Sequence, residues 1–259
     1  MQPLQGLGVL VTRPEHQAMA LCRLLEAAGA RAYRLPAIVI DSNGSRRELA
    51  ARLGALQAYD FIVFVSANAV RFGAALLQQQ RELTLAAVGP ATARALNQAG
   101  YRVAIVPVGG FDSESLLADP RLQQLAGRRI LLVKGCGGRE FLEAEFSRRG
   151  AAVESAEVYR RVAAAPDAAQ LQALTERFDA GEIHVITATS REIAEALLGF
   201  ATPALRAHFD RVHWIVPSGR IASAVRLQGV GAALLRAASA DDQDLLAELL
   251  RWRSSTSAA

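Results

Sequence analysis

The sequence predicts an α/β protein built on parallel sheets. Three observations carry this. Short β-branched runs alternate with Ala/Leu-rich amphipathic stretches along the whole chain. The strand runs are continuously apolar, as in strands covered by helices on both faces. An ordered series of short motifs recurs once, at an offset that drifts from 121 to 129 residues, so two similar halves are expected.

In chain order, the run Gly8–Val11 is the first expected strand, and the turn Thr12–Glu15 (TRPE) leads into a helix over Glu15–Ala28. An extended segment follows over Ala32–Ile40, then a helix over Arg46–Gln57. Strand Phe61–Val65 ends in Ser66–Asn68 (SAN), whose hydroxyl suits a helix start, and helix Ala67–Gln80 follows. Strand Thr84–Val88 passes through Gly89–Thr92 (GPAT) into helix Ala91–Ala99. Strand Val103–Val106 precedes Asp112–Ser115 (DSES) and helix Ser113–Asp119. Strand Arg129–Val133 reaches Lys134–Glu140 (KGCGGRE) and helix Glu140–Arg149. A second long extended segment, Val153–Arg161, precedes helix Asp167–Ala180. Strand Ile183–Thr187, turn Thr189–Arg191 (TSR) and helix Arg191–Phe200 come next. Strand Trp214–Val216, turn Ser218–Arg220 (SGR) and helix Ile221–Gln228 repeat that unit. Strand Ala232–Leu235 and helix Asp242–Trp252 close the series, and the Ser/Thr/Ala-rich tail Arg253–Ala259 is expected to fray.

Composition narrows the class. Of 259 residues, 51% are hydrophobic and 21% charged, which excludes a disordered polyampholyte. At about 150 residues per domain the length allows one large domain or two small ones. Cys22 and Cys136 are too few for a disulfide framework or a four-cysteine zinc site. No apolar run approaches the ~20 residues needed to cross a bilayer. The start MQPLQGLGVLVTRP lacks signal-peptide features, so a soluble cytoplasmic protein with no membrane partner is expected. Net charge is +4, and Lys134 is the sole lysine among 29 basic residues. Arginine is the better fork for carboxylate or phosphate. No basic run exceeds a pair, so a nucleic-acid stripe is not expected, whereas a mildly positive cleft for a small polyanion fits.

The repeat is ordered. Gly89, Gly100 and Asp112 share their spacing with Ser218, Gly229 and Asp241, at a shift of 129. DSESLLA (112–118) matches DDQDLLA (241–247), FIVFV-SANAV matches HVIT-TSREI, and AAGA (27–30) matches RRGA (148–151). In open α/β sheets ligands bind beyond the carboxyl ends of the strands, where helices begin. Each of these turns reads alone as an ordinary helix cap. Together they carry hydroxyls, backbone donors and cations, and exposed N–H groups at helix starts attract carboxylate or phosphate. The candidate contacts are therefore Arg13 in the first turn, Ser66 and Ala67 in the second, and Gly89 and Thr92 in the third. Ser113 follows, then Lys134, Gly135 and Arg139, then Thr189 and Ser190, and last Ser218 and Arg220.

Competing chemistries leave weaker marks. GCGGRE places Glu140 where a dinucleotide fingerprint needs its third glycine, and no phosphate-binding GK[ST] loop occurs. His16, His184, His208 and His213 form no zinc-type pattern, and no hydrolase elbow is present. Cys136 reads as a small residue in a tight turn; a reactive thiol would need Lys134 or Arg139 beside it. The residues by themselves predict a cleft for a multi-anionic small molecule, with no metal and no cofactor.

The series VLVTRPEHQA, LPAIVI, YDFIVFVSANAV, AAVGPATARAL, DSESLL, ILLVKGCGGREFL, RGAAVESAEVYRR and SGRIASA resembles the uroporphyrinogen-III synthase family, in order from Val9 to about Leu250. The resemblance implies two open parallel-sheet domains of flavodoxin-like type, the first discontinuous, joined by a two-stranded antiparallel linker. Domain one would comprise 1–35 and 164–259, domain two 36–163, with linkers near 33–41 and 154–163. It implies a cofactor-independent lyase that cyclises hydroxymethylbilane, inverting the last pyrrole ring and losing water. The expected enzyme is a monomer with transient contact to hydroxymethylbilane synthase. The alternative is a non-catalytic two-lobed binding protein for a polyanion.

By the same resemblance, Ser66, Thr92, Tyr159 and Ser190 lie at or beside cleft positions. Tyr159, a partly exposed linker residue in this reading, is the candidate for assisting loss of the hydroxyl, with Thr92 as a second catalytic hydroxyl. Arg13, Lys134, Arg139 and Arg220 are candidate carboxylate partners. Ile221 stands where some family members carry threonine, which removes one hydroxyl from the second half.

Overall fold

The computed structural model describes residues 2–53, 55–77, 83–107, 112–137 and 140–257. Its strands are β1 (Gly8–Val11), β2 (Arg31–Arg34), β3 (Ile38–Ser42), β4 (Phe61–Phe64) and β5 (Leu85–Ala87), then β6 (Arg129–Gly135), β7 (Ala152–Ala163), β8 (Val185–Thr187), β9 (His213–Val216) and β10 (Leu234–Arg236). Its α-helices are α1 (Glu15–Ala27), α2 (Arg46–Leu53), α3 (Ala67–Gly73), α4 (Pro90–Gln98), α5 (Ser113–Leu117) and α6 (Phe141–Arg148). They continue as α7 (Ala168–Asp179), α8 (Arg191–Phe200), α9 (Pro203–Phe209), α10 (Gly219–Leu227) and α11 (Asp242–Ser257). Among the described residues no helix is long and apolar enough to cross a membrane.

The chain divides into two compact units, Met1–Val39 with Val162–Ala259, and Ile40–Arg161. The first holds a sheet of order β10-β9-β8-β1-β2, parallel throughout. Alternation sorts its strand residues between two cores. Leu10, Ile186 and Trp214 enter one, while Val9, Val11, Val185 and Ile215 enter the other. Burying both faces explains why these strands read as unbroken apolar runs. The second unit holds the sheet β3-β7-β6-β4-β5. Ile62, Phe64, Leu131 and Val133 line one face, and Val63, Ile130 and Leu132 the other.

β3 and β7 carry the chain between the units. The Ala164 N–H donates to Ala37 O and the Asn43 N–H to Val158 O, so residue numbers rise on one strand as they fall on the other. The pair is antiparallel.

The repeat takes a particular form in space. β1 pairs with β2, and β6 with β7, at the same separation: Gly8 with Arg31, Arg129 with Ala152. β1 then pairs with β8 (Val9 with Val185), and β6 with β4 (Ile130 with Phe61). Read along the chain, one copy opens with β1-β2 and closes with β4-β5, and the other opens with β6-β7 and closes with β8-β9-β10. Each sheet joins the opening of one copy to the close of the other.

Expected and observed elements differ in several places. Ala32–Ile40 is not one strand: it breaks between β2 and β3, where Pro36 has no N–H to give a ladder. Val103–Val106 contributes a single bridge, Ile105 to Ala86. Pro203–Phe209, unassigned from the sequence, is α9, started by Thr202, whose Oγ1 accepts from the Leu205 N–H. The tail is helical through Ser257 rather than frayed. Ser254, Ser255 and Thr256 turn their hydroxyls back onto carbonyls one turn earlier, which satisfies these side chains within the helix.

Candidate functional site

In each sheet one strand has its successor on one side and a later strand on the other. β1 lies between β2 and β8, and β4 between β5 and β6. The connections leave such a strand in opposite directions, and that is where open parallel sheets bind ligands. In the second unit this point lies between the turn after β4, at Ser66, and the end of β6, at Gly135. In the first unit it lies between the turn after β1, at Thr12 and Arg13, and the turn after β8, at Thr189 and Ser190.

The second unit brings three of the sequence-predicted residues together. Ser66 caps α3: its Oγ accepts the Ala69 N–H at 3.1 Å. The same oxygen lies 3.3 Å from the Tyr159 hydroxyl. The Tyr159 ring covers Gly135, where a Cβ would stand 2.5 Å from the ring Cζ, so only glycine fits beneath it. Phe72 of α3 stacks on the ring, with centroids 5.9 Å apart, and the Arg161 guanidinium is 5.9 Å from its centroid.

Tyr159, on β7, is therefore not partly exposed. It is 3% exposed, inside the core between α3 and the sheet. The reason is a bulge. β6 and β7 pair Lys134 with Glu157 and then Gly135 with Tyr159, leaving Val158 as an extra residue. Strict alternation would put Val158 and Tyr159 on opposite faces; with the bulge both join one cluster.

The remaining candidates fall into three groups. The first caps helices. Ser190 Oγ accepts the Ile193 N–H at 3.1 Å and Ser218 Oγ the Ile221 N–H at 3.3 Å. Gly89 precedes α4 with Pro90 in its first turn, and Ser113 opens α5 behind Asp112, whose carboxylate accepts the Ser115 N–H. Ala67 opens α3, and Thr189 immediately precedes the Ser190 cap. Thr92 and Ile221 occupy matching first-turn positions in α4 and α10; both are buried, at 4% and 6% exposure, and Ile221 packs into the core of its unit.

The second group is the cations, and here expectation and structure part. Arg13 is 9% exposed, pairs with Asp242 and donates to Ala240 O. Lys134 is also 9% exposed and donates to Glu143 Oε2 at 3.0 Å, an oxygen that also accepts from Ser155 Oγ at 3.0 Å. The Lys134 hydrogen bond holds the Glu143 carboxyl below the usual carboxylate range. Lys134 alternates with Gly135, so its stem leaves the sheet face opposite Tyr159. Both cations already have carboxylate partners within the protein. Arg220 is exposed in the first turn of α10 and, among the described residues, enters no ion pair. Arg139 lies outside the described residues.

The third is Cys136. Its N–H donates to Tyr159 O at 2.8 Å. Burial, then Glu157, push its thiol pKa up. The Arg160 charge pulls the other way but less strongly than burial and Glu157, so Cys136 reads as turn filling rather than as a nucleophile. Iodoacetamide at pH 7.5 should alkylate Cys136 more slowly than free cysteine, with the rate rising steeply as pH increases; a faster rate than free cysteine contradicts the assignment.

Sequence reasoning missed several supporting residues. Thr12 and Thr187 are fully buried where β1 and β8 end, and Thr12 Oγ1 donates to Thr187 O. Phe72, Asp242 and Asn43 were also missed, because each acts on a partner far away in sequence, and Glu143, because its partners Lys134 and Ser155 lie on strands and not on its own helix. The SANAVRF run did hold one usable signal: Phe72 lies six residues after the cap, on the buried side of α3.

Comparison with known proteins agrees with this architecture. Residues 20–247 match the family described as Uroporphyrinogen-III synthase HemD. The uroporphyrinogen-III synthase of Escherichia coli (strain K12) is 31% identical over 254 residues, covering 95% of this chain and 100% of that protein. The uroporphyrinogen-III synthase of Salmonella typhimurium (strain LT2) is 33% identical over 229 residues, covering 86% of this chain and 92% of that protein. The crystal structure of uroporphyrinogen-III synthetase from Helicobacter pylori 26695 superposes with a TM-score of 0.63 at 13% identity, covering 95% of this chain and 99% of that one, a likeness of fold. With two interleaved α/β units and a family match along nearly its whole length, the chain belongs to the uroporphyrinogen-III synthase family.

Proposed function

We propose that the protein is a uroporphyrinogen-III synthase. It closes hydroxymethylbilane, a linear tetrapyrrole with eight carboxylates, into uroporphyrinogen III. One water is lost and the last pyrrole ring is inverted. The observation that carries this reading is the family match over residues 20–247.

The chemistry asks for orientation more than for strong acid or base. Two ring closures compete, and each 1.4 kcal/mol or so between their transition states is tenfold in product ratio. Holding the terminal ring in one geometry is enough to choose. In this reading the helix starts at Ser66 and Gly89 of the second unit direct N–H groups toward substrate carboxylates. Tyr159 gives its proton to the departing hydroxyl, which leaves as water. The carbon left electron-poor is attacked by the substituted α-carbon of the terminal ring, giving a spirocyclic pyrrolenine. The bond from that α-carbon to its old methylene breaks, and the methylene re-bonds to the ring's free α-carbon. The proton lost there on rearomatisation restores the phenol. Ser66 fixes the direction of the Tyr159 O–H, and Thr92 offers a second hydroxyl to the same end of the sheet.

The test is to supply hydroxymethylbilane and resolve the product isomers by chromatography. Type III is expected as the main product, without added metal or nucleotide. Type I alone, formed at the rate seen without protein, rejects the reading.

A further inference from the structure

The bulge that aims Tyr159 is itself held in place, chiefly by one residue. Asn43, just beyond the end of β3, donates its main-chain N–H to Val158 O at 3.1 Å and its side-chain Nδ2 to Glu157 O at 3.0 Å. The next carbonyl, Tyr159 O, accepts from the Cys136 N–H at 2.8 Å. Three successive carbonyls across the bulge are thus occupied, two of them by Asn43. A bulge interrupts the regular ladder, and its carbonyls need other donors. Without the side-chain amide, the Glu157 carbonyl loses its donor where β7 changes register.

We infer that Asn43 is a positioning residue for the synthase reaction: it pins the β7 bulge, and the bulge sets the Tyr159 ring on Gly135 with its hydroxyl beside Ser66. Asn43 acts through Tyr159, and the inference rests on the proposed role of that tyrosine. The amide suits the position chemically. An ionised aspartate has no N–H to donate and would face the Glu157 carbonyl with a like-signed oxygen. Alanine removes the side-chain bond and leaves the main-chain one.

A double-mutant cycle separates positioning from general support. Wild type, Asn43→Asp, Tyr159→Phe and the double variant are compared for kcat, KM, isomer ratio and thermal midpoint, with Asn43→Ala as the second variant should Asn43→Asp fail to fold. Loss of the pin should lower kcat about fivefold with KM within about twofold, and raise the type I fraction. In the Tyr159→Phe background the same substitution should cost less than about twofold, because the hydroxyl it positions is gone. Equal losses in both backgrounds overturn the inference, as does a wild-type rate for both Asn43 variants. A wild-type rate for Tyr159→Phe also overturns it, since nothing would remain to be positioned. Failure of the synthase reading itself shows earlier, as type I product alone from the unmodified protein.

Discussion

Gly135→Ala lowers kcat/KM by about 30- to 100-fold, on the basis that a displacement near 1 Å at a reacting group can cost two orders of magnitude. The added Cβ would stand 2.5 Å from Tyr159 Cζ and 2.6 Å from Cε2. Ordinary carbon contacts lie at about 3.5–4.0 Å, so the ring must retreat by about 1 Å. The ring is also stacked on Phe72, which limits the retreat. The hydroxyl then leaves Ser66. Overpacking a filled core also costs about 1–3 kcal/mol, so the thermal midpoint should fall with the rate. Steady-state kinetics with the isomer ratio, beside a melting curve, checks both parts. A normal rate in a destabilised protein would show that Gly135 serves packing alone.

Tyr159→Phe should separate the two effects. The ring that packs on Gly135 and Phe72 remains, and only the hydroxyl goes. Ser66 Oγ keeps its bond from the Ala69 N–H, so no buried group is orphaned. The stability change should stay within about 1 kcal/mol. The rate should fall about tenfold or more, at the lower end of what a positioned proton donor contributes. The type III fraction should fall with it, because slower loss of water lets uncatalysed closure compete. A folded Tyr159→Phe protein with wild-type kcat would assign Tyr159 to the core alone.

The two variants also show what was legible beforehand. Tyr159 and Gly135 were both readable as site candidates, one from the resemblance and the other from its strand-end turn. Their contact was not. Period-2 alternation places neighbouring strand residues on opposite faces, and nothing in VYRR announces the extra residue in β7. The cations were read too simply. Arg13 and Lys134 stand at turns suited to carboxylates, yet each is matched by a carboxylate of its own chain, Asp242 and Glu143. Asp242 lies 229 residues beyond Arg13, which no local pattern links. The caps were read correctly, because a capping hydroxyl and the N–H that it accepts lie three residues apart.

The sequence by itself determined the α/β class, most strands and helix starts, the two-copy repeat and the family resemblance. Each rests on spacing within a few residues or on matching the chain against itself or a known pattern. Only the tertiary structure decided how β1 joins β8 and β6 joins β4, which face Tyr159 takes, and which carboxylates hold Arg13 and Lys134. The physical reason is a near-degeneracy. The openings of the two copies present alike edges, with β1-β2 and β6-β7 in the same relative register. Either opening could in principle complete either sheet. The choice is made by contacts distant in sequence: buried apolar faces, the antiparallel pairing of β3 with β7, and ion pairs that exist only after the chain has crossed and returned.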